Sequence, residues 1–372
     1  MTTEFKEKLE KKLLSFKDKE YDIVLGMSGG VDSTYSLLNY LEKGKRVLGI
    51  YLDLFDDEKG TSLKNAEKAK KLADKFNIDF KVIEAKGEFK KRVQRYFVET
   101  YTSGKTPNPC SICNRDIKIN ILYEIANILN IPKIATGHYA GISTYNGYKV
   151  IRKGKEPKKE QSYFLALIDK RFLEKLEFPL QDVICKEDLR KELIDKGVMD
   201  PKSTSDSQDI CFLQNGEHEN FCLNWKDNEA EAKIRKTNLY LPNGKVTDGK
   251  NIFSYTVGQR KGLNISYNEP LYVSEIKTEL NENKIILDTK ENMYKDYVIV
   301  KEVNLFVPKE ELEKINSVNV KLRYSKNEIK GKIEFIDDYL KIVFDEKKIK
   351  GAKGQICAIY VDEFLLGGGV ID

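Results

Sequence analysis

Residues Tyr21 to Ser33 read YDIVLGMSGGVDS. Ile23, Val24 and Leu25 form a short apolar run that stops at Gly26. Ser28-Gly29-Gly30-Val31-Asp32-Ser33 follows, and Tyr35, Leu37, Leu38 and Leu41 then recur at helical spacing. A strand, a glycine turn and a helix in that order make an anion cradle. Glycines bare their backbone N–H groups, and the helix N-terminus behind them adds its dipole, so one phosphate can be held there. Ser28 and Ser33 add hydroxyl donors. Asp32 repels a phosphate unless a cation lies between them, so Gly26, Met27, Ser28, Gly29, Gly30, Val31, Asp32 and Ser33 are read as a site for a nucleotide carrying Mg²⁺.

Two familiar phosphate loops are excluded. No Lys follows Gly30, as a Walker loop requires, and the spacing G-x-G-x-x-G is absent. SGGVDS instead resembles the loop of enzymes that split ATP between its α and β phosphates and adenylate a substrate.

The chain has 372 residues, too many for one typical core, so two or three domains are expected. With 40% hydrophobic and 33% charged residues it reads as a globular protein, and no apolar run approaches the ~20 residues of a membrane span. The opening MTTEFKEKLEKKLLSFKDKE is charged and helix-patterned, unlike a signal peptide. Six cysteines without a secretion signal point to a reducing cytoplasm and to reactive or ligating thiols. The net charge of +5 permits nucleic-acid binding without requiring it.

From about residue 20 to 140, strands (21–27, 46–54, 80–84, 133–136) alternate with helices (32–43, 61–76, 88–102, 113–129). This alternation predicts an α/β fold with a Rossmann-like parallel sheet whose ligand lies beyond the carboxyl ends of the strands. From 160 to 200 the pattern reads as helical. Beyond about 270 the period falls towards two, which predicts a C-terminal antiparallel β-barrel.

Cys110 and Cys113 sit in GKTPNPCSICNRD, where a helix is expected to begin. An i,i+3 spacing puts both thiols on one side, and a helix N-terminus with Lys105 and Arg115 nearby should lower their pKa. Redox, metal-binding and nucleophilic roles all fit. Cys211, in STSDSQDICFLQ, is read as either reactive or core filler, and Cys185, Cys222 and Cys357 as packing.

SGGVDS, TPNPCSICN, ATGHYA, KEQSYFL, SDSQDICF, YTVGQRKGL and LGGGVI stand here in the order and spacing of the tRNA-specific 2-thiouridylases, which this chain resembles from about residue 20 to its last residues. The resemblance implies a nucleotide domain (1–205), a central tRNA-contacting domain (206–268) and a β-barrel (269–372). It implies adenylation of the C2 oxygen of the wobble uridine (U34) in Lys, Glu and Gln tRNAs, then replacement of that oxygen by sulfur. ATP and Mg²⁺ are used, and a cysteine desulfurase or relay protein donates sulfur. Gly26 to Ser33, Leu52 and Gly137 then hold ATP. Cys113 is the nucleophile, and Cys211 carries the persulfide and pairs with Cys113 when sulfur is delivered. Asn108, Pro109 and Cys110 frame the target base. His138, Lys159, Glu160, Gln161, Arg323, Tyr324 and Gln355 match tRNA-contact positions, though His138 also reads as a histidine satisfied by its own fold.

Two departures stand out. Many members have Asp where this chain has Cys110, which removes a carboxylate base and leaves three thiols. Cys110, Cys113 and Cys211 could then hold a [4Fe–4S] cluster that takes free sulfide. The second departure is Lys250-Asn251-Ile252, where the family usually has His-x-Gly. Another ATP-pyrophosphatase ligase or amidotransferase would explain SGGVDS without the thiols, and an RNA-binding module would explain the barrel without the ATP loop.

Overall fold

The computed structural model describes residues 1–56, 60–200, 210–213, 218–225, 235–349 and 351–372. The chain divides into two compact units, one of Met1–Val93, Cys110–Gln208 and Asp362–Leu366, the other of Gln94–Pro109, Asp209–Val361 and Gly367–Asp372. Among the described residues no helix is long and apolar enough to cross a membrane.

In the first unit five parallel strands lie in the order Asp79–Glu84, Val47–Asp53, Ile23–Gly26, Lys133–Ala135, Leu176–Glu177. Ile23 pairs with Val47 on one side and Lys133 on the other. The chain thus builds outward from Ile23–Gly26 in one direction, then returns to its other flank. That reversal is the topological switch point where ligands of open α/β sheets bind. Ile23, Val24 and Leu25 are buried, as both faces of a parallel sheet require. Ile23 and Leu25 pack with Met27, Leu37, Tyr40, Tyr51 and Leu72, each fully buried side chain adding about 1.5–3 kcal/mol.

The expected helices near 32, 61 and 88 form over Val31–Glu42, Thr61–Lys75 and Lys86–Thr102, the last carrying a π segment at Lys90–Gln94. The expected helix at 113–129 starts earlier and is interrupted: an α turn at Pro109–Cys113, a π segment at Asn114–Lys118, then an α-helix at Ile119–Ile128. The helical reading of 160–200 is corrected over its first half. Ser162–Leu165 and Lys170–Glu174 are 3-10 turns, and Lys186–Asp195 is the α-helix. Asp169 caps the second turn by accepting from the Arg171 N–H, the local bond through which such residues favour turns over helix interiors. A hairpin of Ala140–Tyr145 and Tyr148–Lys153 turns at Asn146-Gly147, both at positive φ (48° and 84°), as a tight hairpin turn demands.

In the second unit Tyr272–Thr278, Glu282–Asp288, Lys236–Tyr240 and Val246–Asp248 form a small mixed sheet. Six antiparallel strands close into a barrel: Tyr294–Leu305, Tyr339–Ile349, Ile329–Ile336, Val318–Lys321, Ile356–Val361 and the end of Phe364–Ile371, which pairs back onto the first through Leu305↔Gly367. Closure leaves no free edge. Cys357 is fully buried in this barrel, where burial pushes its thiol pKa up, consistent with a packing role.

Candidate functional site

Ser28 to Ser33 lie in the turn after the central strand, and the Met27 N–H bonds to the Ile50 carbonyl at 2.7 Å to hold its start. The Ser28 N–H and hydroxyl each lie 3.2 Å from Ser33 Oγ, and Ser33 and Thr34 hydroxyls donate to the Gly30 carbonyl. Gly29 has φ +75°, and a Cβ there would meet the Asn65 carbonyl at 2.8 Å, so this residue must be glycine. Val31 is buried and starts the helix. Gly137 packs so closely that a Cβ would come within 3.3 Å of Asp32 and 3.4 Å of the Ser33 nitrogen. Leu52, next to last in its strand, pairs with Ile83 at the carboxyl end of the same sheet.

Asp32 is the electrostatic centre of the loop. Tyr139 donates its hydroxyl to Asp32 Oδ1 at 2.7 Å, and Lys186 Nζ bonds Oδ2 at 2.8 Å. Tyr139 is 1% exposed and Lys186 7%, so neither side chain is a solvated surface group. The ammonium also lies 5.8 Å from the centre of the Tyr139 ring. Neither residue was singled out from sequence. Lys186 carried a faint signal: it is the first helical residue after Cys185, where the dipole disfavours a cation.

Lys159, Glu160 and Gln161 take structural roles in this unit. Gln161 brackets Tyr139, its Oε1 accepting from the Tyr139 N–H at 3.0 Å and its own N–H donating to the Tyr139 carbonyl at 2.9 Å. Glu160 is buried and accepts from the Ser162 N–H, while the Lys159 N–H bonds the Glu156 carbonyl. Glu156, Cys185 and Glu187 offer ligand atoms within 4.8 Å of one another. The Glu156 carboxylate already accepts from the Lys158 and Lys186 N–H groups, so it acts as a brace for the helix that carries Lys186. His138 Nδ1 lies 2.8 Å from Thr136 Oγ1, and the ring meets Phe178 edge-on. Burial, helped by Lys118, pushes its pKa down to about 3, which makes it a packed neutral imidazole.

Among the described residues no disulfide joins any of the six cysteines. Cys113 is buried at 4% exposure, and Cys110, one turn earlier, reaches solvent. The expectation of a lowered pKa is corrected at Cys110: burial pushes the thiol up against an opposing pull from Lys118. The α segment here is a single turn, too short for its dipole to hold the thiolate strongly. The π segment widens the helix directly after Cys113, a distortion common at functional sites. Asn114, within it, donates from Nδ2 to the Phe164 carbonyl at 3.2 Å, tying the thiol-bearing helix to the Gln161 segment.

In the second unit Asn108 and Pro109 are buried, and the Asn108 N–H bonds the Tyr96 hydroxyl at 3.3 Å. Cys211 is exposed, and its neighbour Phe212 packs against Phe97 and Phe221 with ring centres 5.4 and 5.1 Å away. The SDSQD stretch before it (205–209) lies outside the described residues. Arg323 and Tyr324 are exposed on the barrel, a cation and an aromatic face suited to RNA. Gln355 donates to the Pro107 carbonyl at 3.0 Å. At the divergent Lys250-Asn251-Ile252, Asn251 bonds Glu219 and Ile252 joins a core with Phe97, Cys222 and Phe253.

Comparison with known proteins agrees across the chain. The family profiles described as tRNA methyl transferase HUP domain, tRNA methyl transferase PRC-barrel domain and aminomethyltransferase beta-barrel domain match residues 21–215, 244–286 and 295–371. The tRNA-specific 2-thiouridylase MnmA 2 of Clostridium botulinum (strain Hall) is 38% identical over 94% of this chain and 98% of its own length. The tRNA-specific 2-thiouridylase MnmA of Persephonella marina is 37% identical over 94% and 99%. Among solved structures, the U34-tRNA thiolase NcsA of Methanococcus maripaludis with its [4Fe-4S] cluster matches at 16% identity and TM-score 0.35, covering 59% of this chain and 70% of that one.

Proposed function

The chain belongs to the tRNA-specific 2-thiouridylase family, sulfurtransferases that act on tRNA, and from that premise we propose that it activates the C2 oxygen of the wobble uridine with ATP and replaces it with sulfur. One observation carries the reading: Asp32, held by Tyr139 and Lys186 at the switch point of the sheet, lies in a glycine turn built for phosphate, in a chain that also presents Cys113 on a helical first turn.

ATP would bind with its phosphates on the Gly26–Ser33 turn, and Asp32, oriented by Tyr139 and Lys186, would hold a Mg²⁺ ion that when bound draws charge from the phosphates. Lys186 neutralises phosphate charge there, and Leu52 and Gly137 flank the nucleotide. The uridine C2 oxygen attacks the α-phosphorus, the bond to the β-phosphate oxygen breaks, and pyrophosphate leaves. A carbonyl oxygen is a poor leaving group, whereas its AMP ester is a good one. The terminal sulfur of a Cys211 persulfide bonds to C2 and AMP departs. The Cys113 thiolate then attacks the Cys211 sulfur, and the old S–S pair of electrons passes to the sulfur on C2. That step leaves 2-thiouridine and a Cys113–Cys211 disulfide, which a dithiol reductant reopens. Arg323 and Tyr324 contact the tRNA, and a desulfurase or relay protein reloads Cys211. The wobble base of Lys, Glu and Gln tRNAs is the substrate, and the ATP, central and barrel regions are taken as 1–205, 206–268 and 269–372.

Cys110 supports a second reading. It places a solvent-accessible thiol one turn from Cys113, where the resemblance implies a carboxylate, and thiolates are the ligands that iron–sulfur clusters take. Cys110, Cys113 and Cys211 would hold a [4Fe–4S] group, which when bound supplies an iron that can carry sulfide. Purification without oxygen followed by an iron count separates the two readings. About four irons per chain, lost in Cys110→Ala, sinks the persulfide route, and a colourless active enzyme sinks the cluster.

A further inference from the structure

The loop that leads into the thiols is held by the barrel. Thr106 to Pro109 contains two prolines that lack an N–H, so it cannot form an ordinary ladder, and its carbonyls need donors from elsewhere. Gln355 supplies them. Its Nε2 donates to the Pro107 carbonyl at 3.0 Å and to the Thr106 carbonyl at 3.4 Å. Beside it the Thr106 N–H donates to the Lys353 carbonyl at 2.7 Å.

The turn that presents Gln355 is itself fixed. The Gly354 N–H bonds the Ile371 carbonyl, the Ile371 N–H bonds the Gln355 carbonyl, both at 2.8 Å, and the Gln355 N–H closes the turn on Ala352. Gly354 has φ +87°, and a Cβ there would meet the Thr106 carbonyl at 2.9 Å. The loop's other end is pinned where the Asn108 N–H meets the Tyr96 hydroxyl, and Gly104 (φ +71°) leaves room for Ile276, which a Cβ would approach to 2.9 Å.

We propose that Gln355 is a positioning residue for sulfur transfer: its amide and the Gly354 turn fix the Thr106–Pro109 loop, which passes by one peptide bond into Cys110 and the turn bearing Cys113. The resemblance implies that Gln355 meets tRNA, and in the structure its amide nitrogen donates to the loop. The barrel turn therefore holds the loop that precedes the thiols in the chain. The catalytic side of this inference rests on the thiolation reading.

The test uses the full chain with two variants, Gln355→Glu, which keeps the size of the side chain and removes its donors, and Gly354→Ala, which crowds the same carbonyl and leaves the amide intact. Three quantities are measured: tRNA Kd, kcat for 2-thiouridine formation, and the rate at which iodoacetamide alkylates Cys110 without tRNA, read by peptide mass spectrometry with Cys185 as internal reference. A shift of the loop by about 1 Å is expected to lower kcat by ten- to a hundredfold. The tRNA Kd stays within twofold, and the Cys110 alkylation rate changes in both variants while that of Cys185 does not. A weakened tRNA Kd with kcat and Cys110 alkylation unchanged overturns the proposal and makes Gln355 an RNA contact. Absence of 2-thiouridine from the wild-type reaction would refute the thiolation reading, while the alkylation contrast judges the brace independently.

Discussion

Replacing Lys186 by Met keeps most of the apolar stem and removes the charge that meets Asp32. The ammonium lies 2.8 Å from Oδ2, and the two side chains are 9% and 30% exposed. At that separation the attraction in an effective dielectric near 20 is about 6 kcal/mol, most of which is offset by the cost of desolvating the two ions. Asp32 keeps the Tyr139 hydroxyl at 2.7 Å and partial access to water, so its charge is not stranded. The net loss of stability is about 1–3 kcal/mol, small enough for the enzyme to stay folded. Catalysis should suffer more if, as proposed, the ammonium beside Asp32 neutralises charge that develops on phosphate: kcat for tRNA-dependent AMP release should then fall about 10²–10³-fold. The assay is AMP formation from ATP and Mg²⁺ with saturating tRNA, alongside tRNA binding, which should stay unchanged. AMP release at the wild-type rate in Lys186→Met would refute the assignment of Lys186 to the phosphate site.

Other perturbations probe neighbouring parts of the account. Tyr139→Phe deletes one hydrogen bond to Asp32 and should raise the Mg²⁺ concentration needed for half-maximal AMP formation, a shift read by titration, with a stability loss of about 1–3 kcal/mol. His138 is neutral when folded, with a pKa near 3, whereas its unfolded form takes a proton below about 6.5. Its contribution is therefore complete above pH 6.5 and is lost as pH falls towards 3. From pH 7 to 5 the wild type should lose about 2 kcal/mol more unfolding free energy than His138→Gln, by urea titration. Phe212→Ala removes the ring lodged between Phe97 and Phe221. It should leave AMP formation near normal and depress 2-thiouridine formation, since Cys211 loses its anchor.

The central strand and its turn were legible because their cause is local. Three apolar residues, a glycine stop and a helical repeat sit within twenty positions, and the parallel sheet follows from alternation. Other features depend on partners far away in the chain. Lys186 and Asp32 are 154 residues apart, so no spacing in the sequence reveals that the lysine answers the carboxylate. Gln161 matched a motif, but its bracket around Tyr139 exists only once the hairpin beginning at Ala140 has folded. The segment 162–174 reads as helix by apolar spacing, yet short-range capping at Asp169 breaks it into 3-10 turns. Asn146-Gly147 was a readable hairpin signal that the expected elements left out. At Cys110 the sequence offered a helix dipole and nearby cations, while in the structure burial raises the thiol pKa against the pull of Lys118.

The most direct test incubates wild-type enzyme and Cys113→Ser with tRNA, ATP, Mg²⁺ and a sulfur source, then quantifies AMP and digests the tRNA for nucleoside mass spectrometry. The account predicts 2-thiouridine and AMP in equal amounts from the wild type, no AMP without tRNA, and no 2-thiouridine from Cys113→Ser. AMP released without tRNA, or 2-thiouridine formed in full by Cys113→Ser, would contradict it.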